Sequence, residues 1–267
     1  MDLPCIVANL DIEAYHQHEA ISRSSLMSLK RSPFHYWYEH LSGEYKKSEP
    51  TPDLILGNAV HSYLLEQDSF WSRYIVCNKV DRRTKAGKQE FEANLMEAGN
   101  KILLDNYQMH AIEAMAKSVY ANHTAHELLK GAKYEQSIFW RDTLTEVQCK
   151  ARPDIWQPNF IADIKTCADA GFDAFQGSLF KWGYHIQAAM IQEGIKHATG
   201  EYIKDFVFIA IEKIPPYAVA CYQLDEFALQ GGVDEFYHLL AKLRVCRENN
   251  EWPAYKNDII SLPRWAI

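Results

Sequence analysis

The chain reads as an α/β protein, a mixed β-sheet flanked by helices and carrying an N-terminal helical elaboration. Three observations predict this. Apolar residues recur at helical spacing through most of the first 130 residues, the period shortens to that of strands from Lys133, and helix-strand units resume afterwards. With 267 residues, 48% of them apolar and 24% charged, the chain can bury one large core or two modest ones. A single domain over 1–267 is expected: mainly helical over 1–130, sheet and helices over 131–223, a C-terminal helix and tail over 224–267.

Residues 21–41 have the helical period, with Ser22, Ser24 or Ser25 available as N-cap and Leu26, Leu29, Tyr36 and Trp37 on an apolar face. Ser32-Pro33 is expected to kink or divide this helix, because proline lacks an N–H and restricts the residue before it. Polar residues and two prolines make 44–53 a loop. A helix over 54–67 follows, and its small residues Gly57 and Ala59 allow close approach to the sheet. An exposed loop is expected over 74–88, gathering Lys79, Arg82, Arg83, Lys85 and Lys88, and then a helix over 89–103. Ile112, Met115, Val119 and Tyr120 keep helical spacing within 107–129. Segments 134–141, 147–156 and 160–166 are short, rich in β-branched and aromatic residues, and separated by turns at Asp142-Thr143 and Gln157-Pro158-Asn159, which predicts a three-stranded meander. Helices over 168–180 and 184–197 come next, the second closed by Gly200. Strands over 202–212 and 217–223 flank Pro215-Pro216, and a long amphipathic helix over 224–248 is expected to be interrupted at Gly231-Gly232.

No apolar run reaches the roughly 18 to 20 residues of a membrane-spanning helix, and residues 1–11 lack the basic and apolar regions of a secretory leader, so a cytoplasmic product is expected. The six cysteines are scattered without a C-x-x-C pair, which argues against a zinc ribbon, an iron-sulfur cluster or a disulfide framework. A net charge of −7 is unfavourable for general binding to phosphates. A cation held by acidic side chains, or basic residues gathered locally, can still supply positive charge where it is needed.

The chemistry concentrates in Arg152-Pro153-Asp154 and, nine residues after that aspartate, Asp163-Ile164-Lys165. Side chains alternate along a strand, so Asp163 and Lys165 share a face, while Asp154 sits where the preceding strand turns back. Two acids held together lose their protons reluctantly unless a cation lies between them. Magnesium prefers carboxylate oxygen and retains waters, leaving room for a phosphate and an attacking water. Either acid alone is better read as an ordinary turn or edge-strand residue, and Lys165 alone as a salt-bridge partner. Together they predict metal-dependent phosphodiester cleavage, with Lys165 orienting or helping deprotonate the water and stabilising the transition state. Glu135, on the first strand of the meander, can face the same cleft. His61 is a possible further ligand, although a lone helix histidine is more often packed or at the surface. Tyr184 and Gln187, one helical turn apart, can hold a phosphate or sugar, and Trp182 with Tyr184 can stack on an unpaired base. Arg82, Arg83, Lys85 and Lys88 can track a DNA backbone, or form a solvated loop.

The motifs G-N-A-V-H-S-Y-L-L-E at 57–66, D-R-R-T-K-A-G-K at 81–88, E-Q-S-I-F-W from Glu135, C-K-A-R-P-D, A-D-I-K-T and Y-H-I-Q-A-A, in that order, resemble the nuclease domain of exonuclease VIII (RecE). That domain belongs to the PD-(D/E)XK superfamily, which also includes lambda exonuclease and the RecB nuclease domain. The likeness runs from about residue 21 to about residue 200. It implies a restriction-endonuclease-like core and magnesium-dependent DNA hydrolysis, with manganese able to substitute. It assigns metal binding to His61, Asp154, Asp163 and the backbone carbonyl of Ile164. Lys165 matches the motif lysine, and Tyr184 and Gln187 match the motif tyrosine and glutamine. It further implies 5′-to-3′ digestion of linear duplex DNA, a 3′ single strand passed to an annealing partner in phage-type recombination, and a homo-oligomeric ring that threads the duplex. The chain departs from the family where Met190-Ile191 follows Gln187-Ala188-Ala189 in place of a pattern ending in tyrosine. It is also far shorter than full-length RecE and lacks the cysteine arrangement of cluster-bearing superfamily members. An endonuclease or single-strand nuclease on the same core, or a DNA-binding assembly protein without turnover, are the alternatives.

Overall fold

A computed structural model of the chain describes residues 3–262. The helical first half follows its caps. After β1 (Cys5–Val7) and α1 (Ile12–Gln17), neither of them expected, α2 (Arg23–Arg31) starts at Ser22, whose hydroxyl accepts from the Ser25 N–H in a capping box. Ser32 ends α2 and caps α3 (Pro33–His40), with Pro33 in the first turn where its missing N–H costs nothing. The expected division at Ser32-Pro33 is therefore observed. Next come α4 (Pro52–Leu65) and α5 (Gln67–Arg73).

The segment expected as loop and helix over 74–103 differs. It holds β2 (Tyr74–Cys77), α6 (Lys85–Ala98) and β3 (Ile102–Asp105), with β2 and β3 pairing in parallel. Neither four-residue strand carries enough alternation to be read alone, and their pairing spans the intervening helix. The helix expected over 107–129 is two, α7 (Asn106–Ala121) and α8 (His123–Leu129), because the Asn122 side chain caps the second.

The sheet region contains β4 (Lys133–Tyr134), β5 (Ser137–Arg141), β6 (Gln148–Ala151), β7 (Ile155–Trp156) and β8 (Phe160–Cys167). It continues through α9 (Phe172–Lys181), α10 (Tyr184–Thr199), β9 (Asp205–Glu212), β10 (Val219–Gln223) and α11 (Glu226–Asn249). The main sheet has the order β10-β9-β8-β7-β4, with β8 and β9 parallel and the other pairs antiparallel. Ile161, Phe208 and Ala210 face one core, with α10 and α11 packed there. Ala162, Ile164, Ile209 and Ile211 face a second core, beneath α4 and α7.

The predicted simple meander is corrected by this topology. β5 and β6 belong to a separate three-stranded sheet with β1, whereas β4 and β7 belong to the main sheet. Yet β5 pairs with β6, and β4 with β7, in one unbroken register. A single long hairpin is bent across two sheets, at Glu135-Gln136 on one arm and Arg152-Pro153-Asp154 on the other. Pro153 has no N–H for a ladder, and Glu135 takes the left-handed conformation at φ 49°.

Gly231-Gly232 does not interrupt α11. A Cβ on Gly232 would lie 2.2 Å from the His185 carbonyl oxygen, so the glycine marks close packing of α11 on α10. Gly232→Ala is expected to destabilise the fold by about 1–3 kcal/mol, because backbone cannot yield as a side chain can. A urea titration against wild type checks this. Among the described residues, no helix is long and apolar enough to cross a membrane.

Candidate active site

The bend in the hairpin positions the acids. Extending the β4–β7 register one residue past Tyr134 and Ile155 sets Glu135 opposite Asp154, and the Glu135 N–H donates to the Asp154 carbonyl at 3.2 Å. Extending β7–β8 past Ile155 and Ala162 sets Asp154 opposite Asp163. Glu135, Asp154 and Asp163 thus form one row across three strands, where the ladder opens and the Asp154 Oδ2 accepts the Ile164 N–H at 2.7 Å. Carboxylates directly opposite one another repel. Here each has a partner of its own.

Glu135 pairs with Arg152, whose Nε lies 2.9 Å from the Glu135 carboxylate and also donates to the Glu135 carbonyl at 3.1 Å. Asp163 is fully buried, in contact with the Lys165 ammonium, and accepts from Gln187 Nε2 at 2.7 Å. Asp154 faces His61, with Nδ1 3.2 Å from Oδ2. His61 gets there through Gly57, one turn earlier on the same face of α4, where a Cβ would already lie 3.1 Å from Thr166 Oγ1 on β8. The expected close approach of this helix to the sheet is observed.

These partners do not neutralise the row. Burial first, and then the charge of Asp163, push the Asp154 carboxyl up to about 6, against the opposing pull of His61, Lys165 and the Ile164 N–H. Burial, and then Asp154, hold Glu135 well above the ordinary carboxylate range despite Arg152. One ligand atom each from His61, Glu135 and Asp154 lies within 4.8 Å of the others. Two carboxylates that resist ionising side by side, with an imidazole next to them, are a donor set suited to a hard divalent cation.

His61, Asp154, Asp163 and Lys165 converge with the Ile164 backbone, and Glu135 joins them from the bend, where it was expected on a strand. Gln187 turns inward onto Asp163. Tyr184 packs its ring 5.0 Å from the Lys165 Nζ and against Phe175 and Phe208. The basic residues stand apart, on the loop before α6 and in its first turn. Arg83 chelates Asp81 at 2.9 Å and Arg82 lies 4.1 Å over Phe91. None of the described hydrogen bonds or ion pairs joins Arg82, Arg83, Lys85 or Lys88 to the acid row. Arg152 stands in the R-P-D motif, which by itself assigns it no role. The signal for it was a cation two residues before Asp154, too long a side chain for a bend unless it had an acid to meet.

Arg152 also donates to the Leu10 carbonyl at 2.9 Å, tying the N-terminal segment to the bend. Arg152→Met is expected to cost about 3 kcal/mol, since it leaves Glu135 buried without its cation. Chemical denaturation at neutral pH checks this.

A mixed sheet with parallel central strands, bearing an aspartate at a hairpin bend and D-x-K on the next strand, defines the PD-(D/E)XK nuclease superfamily fold, a restriction-endonuclease-like core. The model of the PDDEXK-like domain of unknown function (DUF3799) matches residues 22–262, and the chain belongs to that family. Among solved structures, the chain is similar to a protein of Eubacterium rectale named as a candidate exonuclease, with 18% identity, 96% of each chain covered and a TM-score of 0.64. This likeness is one of fold. A weaker match is to an alkaline exonuclease from Laribacter hongkongensis, with 18% identity over 62% of this chain and 85% of that one and a TM-score of 0.32, too low to argue from. No curated protein matches the chain.

Proposed function

We propose that the protein is a divalent-metal-dependent deoxyribonuclease, with magnesium as its ion and manganese able to replace it. The observation that carries this reading is the row of Glu135, Asp154 and Asp163 with His61 at one side and Lys165 at the other. His61, Glu135 and Asp154, with Asp163 beside them, would hold such an ion, which would polarise a phosphoryl oxygen and make a bound water acidic enough to act near neutral pH.

The remaining work falls to the chain's own side chains. Lys165, held by Asp163 and walled by Tyr184 and Phe208, places an ammonium where negative charge grows on the phosphate oxygens during in-line attack. Gln187 fixes the Asp163 carboxylate so that it does not swing away when Lys165 engages substrate. Arg152 keeps Glu135 aimed at the row from behind. Hydrolysis then leaves a 5′-phosphate and a 3′-hydroxyl.

The order of motifs shared with exonuclease VIII supports 5′-to-3′ digestion of linear duplex ends. A 3′ single strand would pass to an annealing partner in recombination, and a ring of subunits would keep a net acidic chain on its duplex. Linear duplex labelled separately at its 5′ and 3′ ends, incubated with and without magnesium beside closed circular DNA, tests this. Early release of the 5′ label with circles intact is expected. Cutting of circles would make the protein an endonuclease, and no digestion under any metal would remove the nuclease reading.

A further inference from the structure

The corner between α9 and α10 is poorly covered by the rest of the chain. α9 buries only Phe175, while Phe180 is 71% exposed and Trp182, just past its end, is 49% exposed. Large exposed rings two residues apart in the chain mark a surface that another molecule covers. These rings are accompanied by cations. Lys30 lies 5.4 Å over the Phe180 ring and Lys181 4.8 Å over that of Trp182. Arg23 donates to the Trp182 carbonyl at 2.7 Å and sits 5.9 Å from the Tyr184 ring, which also lies 5.0 Å from the Lys165 ammonium. Ring–cation pairs thus recur at Phe180, Trp182 and Tyr184, and the last of them reaches the acid row through Lys165. Of the three outer cations only Lys30 has a carboxylate partner among the described residues, Glu235 at 3.4 Å.

We propose that this corner holds an unpaired DNA strand where it leaves the candidate active site, with bases against Phe180 and Trp182 and phosphates at Arg23, Lys30 and Lys181. The occupant follows from the chemistry. Phe180 already stacks on the His185 ring at 6.1 Å, and rings exposed in this way suit bases, which a duplex hides in its stack and a single strand offers, while the cations beside them suit its backbone. On a chain of net charge −7 such a patch is a local exception that favours a polyanion. Its location beside the site rests on the nuclease reading, whereas strand binding is measured without digestion.

Fluorescence anisotropy of a labelled oligothymidylate, with calcium in place of magnesium, provides the measurement. Phe180→Ala and Trp182→Ala are each expected to weaken binding about tenfold, and Trp182→Phe, which keeps a ring, to bind close to wild type. Lys181→Gln is expected to lower the slope of log affinity against log salt by about one. Both aromatic side chains are exposed, so unchanged melting temperatures separate lost contact from lost fold. Strand affinity that ignores both ring substitutions, or is absent in wild type, overturns the proposal. So does a fall in sedimentation coefficient on ring removal with strand affinity unaltered, which would assign the corner to a second copy of the chain. Binding that depends on the rings in a protein that digests no DNA supports the corner and sinks the nuclease reading. Digestion by a protein whose strand affinity ignores the rings does the reverse.

Discussion

Lys165→Met is expected to digest linear duplex DNA about 10²- to 10³-fold more slowly than wild type, with most of the loss in kcat. The direction follows from where the ammonium sits. It touches a fully buried carboxylate on its own strand and lies 5.0 Å from the Tyr184 ring and 5.8 Å from that of Phe208, so it is held and partly dehydrated before substrate arrives. A charge fixed in advance stabilises the transition state more than the ground state, because the phosphate gains charge only as the water attacks. Methionine keeps the length of the side chain and its packing while removing the charge. Asp163 would retain Gln187 as donor, so binding of metal at His61, Glu135 and Asp154 should survive and can be followed by titration calorimetry. A rate within a factor of about three of wild type would remove Lys165 from the chemistry.

Gln187→Leu tests the support behind this arrangement. It should leave the ammonium in place but free Asp163 to rotate, giving a smaller loss than Lys165→Met. The two substitutions should not add, since both act through one carboxylate.

Much of this site was legible from local chemistry. Alternation along a strand places Asp163 and Lys165 together whatever the rest of the sheet does. Ser32-Pro33 and Gly200 act at the residues where they stand, and so do their effects on helix ends. Glu135 was harder, because its place depends on a bend shared by two arms of a hairpin, and register is set by strands that lie far apart in sequence. The same reason hides β2 and β3, each too short to show a period and paired across the whole of α6. Gly232 misled in the opposite direction. Glycine inside a helix normally weakens it, and only the His185 carbonyl 2.2 Å from the missing Cβ shows why it is there. The exposed basic run around Arg82 and Arg83 was conspicuous in sequence, but the Asp81 that occupies Arg83 was beside it all along.

Magnesium or manganese is expected to raise the melting temperature at neutral pH, and that increment should fade as pH drops through about 6. At a hundredfold excess over its dissociation constant, an ion that binds only the folded chain adds about 2.7 kcal/mol, or roughly 5–10 °C for a domain of this size. The pH window comes from Asp154. Its carboxyl lies near the ordinary 3.8 when unfolded and at about 6 when buried beside Asp163. Without metal the folded chain therefore holds a proton that the unfolded chain has released, so stability falls as pH rises from about 4 to about 6, by up to about 3 kcal/mol, and is level above. Glu135 is displaced in the same direction and adds to the slope. Metal binding needs both carboxylates ionised, so it returns above pH 6 what the acid row has lost there. Asp154→Asn should flatten the metal-free profile between pH 4 and 6 and abolish the response to either ion. An unchanged melting temperature across a wide range of both metals in the wild-type protein would mean that the row does not bind a cation, however well its geometry suits one.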